Sequence, residues 1–219
     1  MATTVRQLIN TVKLTLQEER NTDGIRWTNS ELIDYLNDAY KFVAENEPEA
    51  FAENSEFECV NGSRQELPPN AVTLINIVRN IDGRRRAINP IDGETLNAVR
   101  PDWQDENATK EQELFIYDDW NPKVFYVYPP ALEGSMLEIV VSINTPKHTT
   151  RHYDDGETTL ALDDRFYPPI MNYILHRAFD KDADDQNNMA RAMQYLQTAY
   201  SAMGQKLQNT ARTSPNAEN

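Results

Sequence analysis

The chain has 219 residues, of which 35 are acidic and 21 basic, for a formal net charge of −14. That balance excludes a general grip on nucleic acid, because neutralising phosphates takes lysine and arginine; it still permits a surface that DNA passes without adhering. The single cysteine, Cys59, excludes an intrachain disulfide and most cysteine-based metal centres.

From the N-terminus, Val5, Leu8, Ile9, Val12 and Leu16 recur at helical spacing and predict a first helix over residues 5–19. The opening stretch lacks the apolar core of a secretory signal, and no segment approaches a membrane span, so a soluble protein made in a cytoplasm is expected. Residues 21–24 read as a turn that makes the first two helices antiparallel neighbours. Thr28 and Glu31 have the spacing of a capping box. Leu32, Ile33, Leu36, Ala39, Tyr40 and Val43 then form the stripe of a second helix, which Pro48 stops. The many carboxylates between Glu18 and Glu58 read as a solvated acidic face, or as one that meets a basic partner or lines a DNA passage.

After Phe57 the period changes. Residues 57–60, the Asn61-Gly62 turn and the run behind it predict a hairpin. Strands are expected over 72–78, 84–88, 114–117, 124–128 and 136–143, with a short helix over 92–99 and Trp103 in an acidic loop. Together they predict a small antiparallel sandwich or partly closed barrel. A loop over 146–157 follows. A third helix begins at Pro168, with Phe166, Ile170, Ile174 and Ala178 inward. A fourth starts at Asp184 or Asp185 and carries Met189, Ala192, Met193, Leu196, Ala199, Tyr200 and Met203. The expected class is α+β. Residues 1–54 and 158–206 form a discontinuous antiparallel four-helix bundle, 55–157 an inserted β-rich domain, and 207–219 a flexible arm. The bundle core is expected at Leu32, Leu36, Tyr40, Val43, Ile174, Ala178, Leu196 and Tyr200.

Residues capable of chemistry are few. His148 and His152, followed by Asp154 and Asp155, are the nearest approach to a metal cluster, but they fall in a predicted loop. His176 stands one turn before Asp180 and reads as a helix-face contact. Asp118 and Asp119 stand beside Trp120 at a strand end, where adjacent side chains point apart. No phosphate-binding glycine loop or nucleophile elbow is present, and no cofactor or metal is expected. The basic cluster Arg84, Arg85 and Arg86, with Arg79 close by, reads as solvent-exposed, as a subunit interface, or as a DNA contact. On a strand, Arg84 and Arg86 would share one face. Trp120, Tyr126 and Tyr128 are candidate aromatic anchors, while Phe125 and Val127 face the core.

Several stretches, taken in order, resemble the head-to-tail adaptors of tailed bacteriophages, ring proteins seated beneath the portal. They are residues 27–40, Pro48-Glu49-Ala50-Phe51, the strand ending in Tyr128-Pro129-Pro130, and the helix over 168–182 with Tyr173, Ala178, Phe179, Lys181 and Asp182. Asn188, Ala192, Tyr195 and Gly204-Gln205-Lys206 complete the set. The resemblance implies a non-enzymatic structural protein of the virion neck. It implies a ring, typically of about twelve copies, with a portal ring and a tail or nozzle protein as partners and double-stranded DNA passing through. It also implies a portal-docking arm at Lys206, Leu207, Gln208, Asn209, Thr210, Ala211 and Arg212. Arg79, Arg84, Arg85, Arg86, Trp120, Tyr126 and Tyr128 would lie at a subunit or tail interface. The rivals are a tail-side ring component and a metal-dependent hydrolase using the His148/His152 loop.

Overall fold

The computed structural model describes residues 2–16, 26–118, 120–181 and 186–213, by backbone alone at 186 and from 205 onward. They divide into a helical unit, Met1–Glu47 with Thr145–Asn219, and a β-rich unit, Pro48–Asn144.

In the helical unit, α1 (Val5–Thr15) begins at a capping box between Thr4 and Gln7, and α2 (Asn29–Asn46) at the one between Thr28 and Glu31. Each box satisfies backbone N–H groups that a helix start leaves unpaired, worth about 1 kcal/mol. The α1 stripe Val5, Leu8, Ile9 and Val12 is buried; Leu16, at the helix end, is only half-buried. The predicted turn at 21–24 and the start of the fourth helix at 184–185 lie outside the described residues. α2 buries Leu32, Ile33, Leu36, Ala39, Tyr40, Phe42 and Val43, a wider band than one stripe. It needs that width because α4 (Thr150–Asp155) and α5 (Tyr167–Asp180) both pack on it. The returning chain is stitched to the N-terminus: Val5 N–H donates to Thr158 O at 2.9 Å, and Leu160 N–H to Thr3 O at 2.9 Å. α5 takes proline into its first turn and buries Ile170, Ile174, Leu175, Ala178 and Phe179.

α6 (Gln186–Thr213) packs on α5. The core positions Leu32, Leu36, Tyr40, Val43, Ile174 and Ala178 are buried. The remaining two require correction. Tyr200 is 50% exposed and Leu196 half-buried, while Met189 and Met193 are 58% and 59% exposed. The inward line of α6 is Ala192, Ala199 and Met203, because alanines let the two backbones approach and the bulkier residues beside them rotate outward. Tyr200 still meets Phe42 edge-on at 4.9 Å. The arm expected to be flexible from residue 207 is helical to Thr213; residues 214–219 lie outside the described residues.

The β-rich unit opens with a 3-10 turn, Pro48–Phe51. β1 (Ala52–Glu58), β7 (Met136–Ile143) and β3 (Ala71–Asn80) form one sheet in the order β1-β7-β3. β2 (Gly62–Glu66), β6 (Val124–Ala131), β5 (Leu114–Tyr117) and β4 (Asn89–Pro90) form the other, in the order β2-β6-β5-β4. The pairs are antiparallel except the two-residue β4/β5 contact. Between the sheets lies one core that includes Phe57, Leu74, Ile77, Phe125, Val127, Leu137, Ile139 and Val141. A sandwich is therefore the form adopted.

Two expectations fail here. β1 and β2 form no hairpin, since they belong to different sheets. The fully buried Gln65 side chain holds the corner instead, accepting from Val60 N–H at 2.9 Å and donating to Val60 O and Gly62 O. Residues 84–88 form no strand; they belong to a turn, and only Ala87 bridges back to Arg79. The short helix is found as α3 (Gly93–Val99), with Asp92 as its N-cap accepting from Thr95 N–H at 3.0 Å.

Candidate interaction surfaces

The basic cluster is built by a buried asparagine. Asn80, at the end of β3, donates through its amide to Arg86 O and Gln112 O and accepts from Gln112 N–H at 2.8 Å. Asn80 N–H also donates to Arg86 O at 2.9 Å, which closes the turn on residues 81–85. At Gly83 the backbone is left-handed (φ 61°), a conformation that favours glycine, and a Cβ there would displace the Glu111 carboxylate. Arg85 adopts φ 54° with a side chain, a conformation uncommon for any residue but glycine and asparagine. The shared face expected of Arg84 and Arg86 is thus overturned, because strand alternation does not operate in a turn. Arg86 lies 3.7 Å from Glu113, and Arg79 pairs with Glu138 across the sheet. Among the described residues, Arg84 and Arg85 form no ion pair and both are exposed.

The aromatic candidates separate. Trp120 is 93% exposed at the tip between β5 and β6. Asp119, its neighbour, lies outside the described residues. Tyr128 is buried and Tyr126 half-buried, both packed edge-on against Trp103 at 6.4 and 6.2 Å. Trp103 sits in a second small core with Leu96, anchored by its indole N–H on Asn97 Oδ1 at 2.8 Å. Trp103 was expected in a polar loop. Its burial there removes Tyr128 from the exposed surface and leaves Tyr126 only partly on it, because α3 and the turn after it cover that face of β6.

The histidine pair is part of a hydrogen-bonded network. Residues 150–155 are helical rather than loop, which brings His148 Nδ1 to 3.2 Å from His152 Nδ1. The donors can be assigned from the network. Thr149 N–H makes His152 Nδ1 an acceptor, so a neutral His148 carries its proton on Nδ1 and its Nε2 accepts from the Tyr40 O–H at 3.1 Å, while Ala161 N–H donates to the Tyr40 oxygen at 3.0 Å. His148 Nδ1–H then donates to His152 Nδ1, which also accepts from Thr149 N–H at 3.3 Å. Burial, with His152 beside it, lowers the His148 pKa, and burial pushes Tyr40 up to about 12. Asn37 clamps the same loop through both His148 backbone groups, at 2.8 and 3.0 Å. Among the described residues no group of three or more metal-ligating side chains converges. His176 contacts the Ala192 carbonyl at 3.0 Å, tying α5 to α6.

The acidic face of α2 is partly neutralised from within. Asp38 pairs with Arg177 at 2.8 Å and with Lys41 at 3.0 Å. Lys181 holds Glu31, and together with the Thr28 N–H it lowers the carboxyl to about 2.

A family model described as SU10 adaptor protein matches residues 3–218, nearly the whole chain. The chain belongs to the SU10 adaptor family. This is a family of tailed-phage head-to-tail adaptors, structural proteins and not catalysts. A comparison with curated proteins gives no match. Adaptor identity implies portal and tail components as partners in general, DNA passage, and a place in the virion neck.

Proposed function

We propose that this adaptor forms a ring between portal and tail, typically of about twelve copies, and that it docks on the portal through the C-terminal part of α6. What supports the reading is the length of α6. It has 28 residues against 14 in α5, or about 42 Å against about 21 Å at 1.5 Å per residue, so α5 cannot cover its far half. The arm residues Lys206 to Arg212 fall in that half. The surface-exposed Arg84 and Arg85, with Arg86, Arg79 and Trp120, supply the interface with a neighbouring copy or the tail. Arginine there meets carboxylates of a chain that carries 35 of them. The mechanism is shape and charge complementarity. The acidic surface keeps passing DNA from adhering; neutral substitutions of channel-wall carboxylates that left ejection and particle yield unchanged would count against this.

The test is native mass measurement with the portal ring added, on the full chain and on a form ending at residue 205. The expected result is about one adaptor per portal subunit, with binding lost on truncation. Binding that survives truncation would move the dock elsewhere, and no binding in either form would place the ring on the tail side.

A further inference from the structure

The geometry points to β1 as the docking edge for an extended, basic segment of a partner protein, which would add to the sheet as a further strand. β1 pairs with β7 over all seven residues without a register shift, and it is an outer strand of its sheet. Among the described residues no backbone hydrogen bond reaches Ala52–Glu58 from the side away from β7. The opposite edge is different. β3 has three register shifts against β7, the Tyr117 hydroxyl accepts from Leu74 N–H, the Lys123 ammonium donates to Ala71 O, and Asn80 N–H is used by Arg86 O. One edge is therefore blocked by bulges and side chains, while the other is regular and open. Natural sheets seldom leave such an edge unguarded.

The guard on β1 is charge. Ala52, Glu53, Asn54, Glu56 and Glu58 are exposed. Two copies of this strand paired with each other would crowd six carboxylates together, which excludes self-pairing. A strand bearing lysine or arginine meets the opposite condition, since unlike charges on neighbouring strands attract. Beside β1 lies a pocket of about 270 Å³ lined by Asn54, Ser55, Glu56, Arg79, Arg85 and Glu138. In it, Glu56 stands directly across from Glu138 in register, and Arg79 pairs with Glu138. Glu56 forms no ion pair among the described residues, and the buried Ser55 Oγ has no hydrogen-bond partner there. An incoming lysine or arginine side chain on the Glu56 face supplies the cation that Glu56 lacks; Ser55, the next residue along the strand, belongs to the opposite face. The partner is a second protein and not another copy of β1.

The test uses hydrogen exchange on the full-length protein with three short peptides. One alternates lysine and threonine, the second is the same peptide N-methylated on alternate amides, and the third has glutamate for lysine. Slowed exchange in Ala52–Glu58 with the first peptide alone is the expected result. The Glu56→Gln/Glu58→Gln double variant, its fold checked by circular dichroism, should bind that peptide about tenfold more weakly. Equal binding of the N-methylated peptide would reduce the effect to general charge attraction and overturn the proposal. So would binding that leaves β1 exchange unchanged, or no binding at all. None of these outcomes depends on whether the protein docks on a portal.

Discussion

At the scale of single residues, Tyr40 and Glu31 do more than their side-chain classes suggest. Tyr40 is a core residue by position, yet its hydroxyl joins Ala161 N–H to His148 Nε2 inside the helical unit. Tyr40→Phe keeps the ring and strands both partners, so a loss of about 1–3 kcal/mol is expected in chemical denaturation. Two pH windows follow from the shifted groups. Glu31 has its carboxyl lowered from 4.5 to about 2, so its stabilising contribution is complete above pH 4.5 and is lost as pH falls through about 2. His148 is buried neutral with a depressed pKa. The unfolded chain takes up that proton first, so stability declines as pH drops below 6.5 toward the lower folded value. Thermal melts across this range should show the decline below pH 6.5 flattened in His148→Gln, with the acid limb near Glu31 retained.

At the scale of elements, the contact between α5 and α6 depends on small residues. Ala192 and Ala199 are buried on α6, which packs on α5. Ala199→Leu should overpack that contact and cost about 1–3 kcal/mol, whereas Met193→Leu on the exposed side should change the midpoint little. In the sandwich, Phe125 is fully buried with Phe57 edge-on at 5.3 Å. Phe125→Ala should remove about 3–5 kcal/mol by opening a cavity, read from the denaturation midpoint of the β-rich unit. The turn of residues 81–85 hangs on Asn80. Asn80→Ala leaves the buried Gln112 N–H and carbonyl unpaired and removes the side-chain bond to Arg86 O, which keeps only the backbone one, and it should loosen the basic turn as faster amide exchange there.

At the scale of the whole molecule, charge governs the relation to DNA. With −14 net charge and its basic residues partly committed to internal pairs such as Arg177–Asp38 and Lys181–Glu31, the free protein should leave double-stranded DNA unshifted in a gel even at low salt. A shift would mean that Arg84 and Arg85 act on phosphate and not on protein. Adaptor family membership over residues 3–218 makes partner surfaces the functional sites of this chain. Among the described residues, Arg84, Arg85 and Trp120 are exposed, as are Glu53, Glu56 and Glu58 of β1.

Local periodicity and caps determined much of this in advance. The Thr28/Glu31 box, the stripe of α2, the first-turn proline of α5 and the Asp92 cap each depend on neighbours within a few residues, so the sequence alone settles them. Most of the order of helices and strands, apart from α4 and the strand expected at 84–88, and the adaptor resemblance follow from the same short-range signals. Long-range pairing decided the rest. Which strands share a sheet depends on partners far along the chain, so an apparent hairpin at Asn61-Gly62 proved to be a corner between two sheets. Asn80 turned a predicted arginine strand into a turn through bonds to Gln112, 32 residues away. Trp103 reached Tyr128 and withdrew it from the exposed surface. Tyr200 and Leu196 kept their place in the helical period but lost the core, because which arc of a helix is covered depends on the neighbour and not on the period.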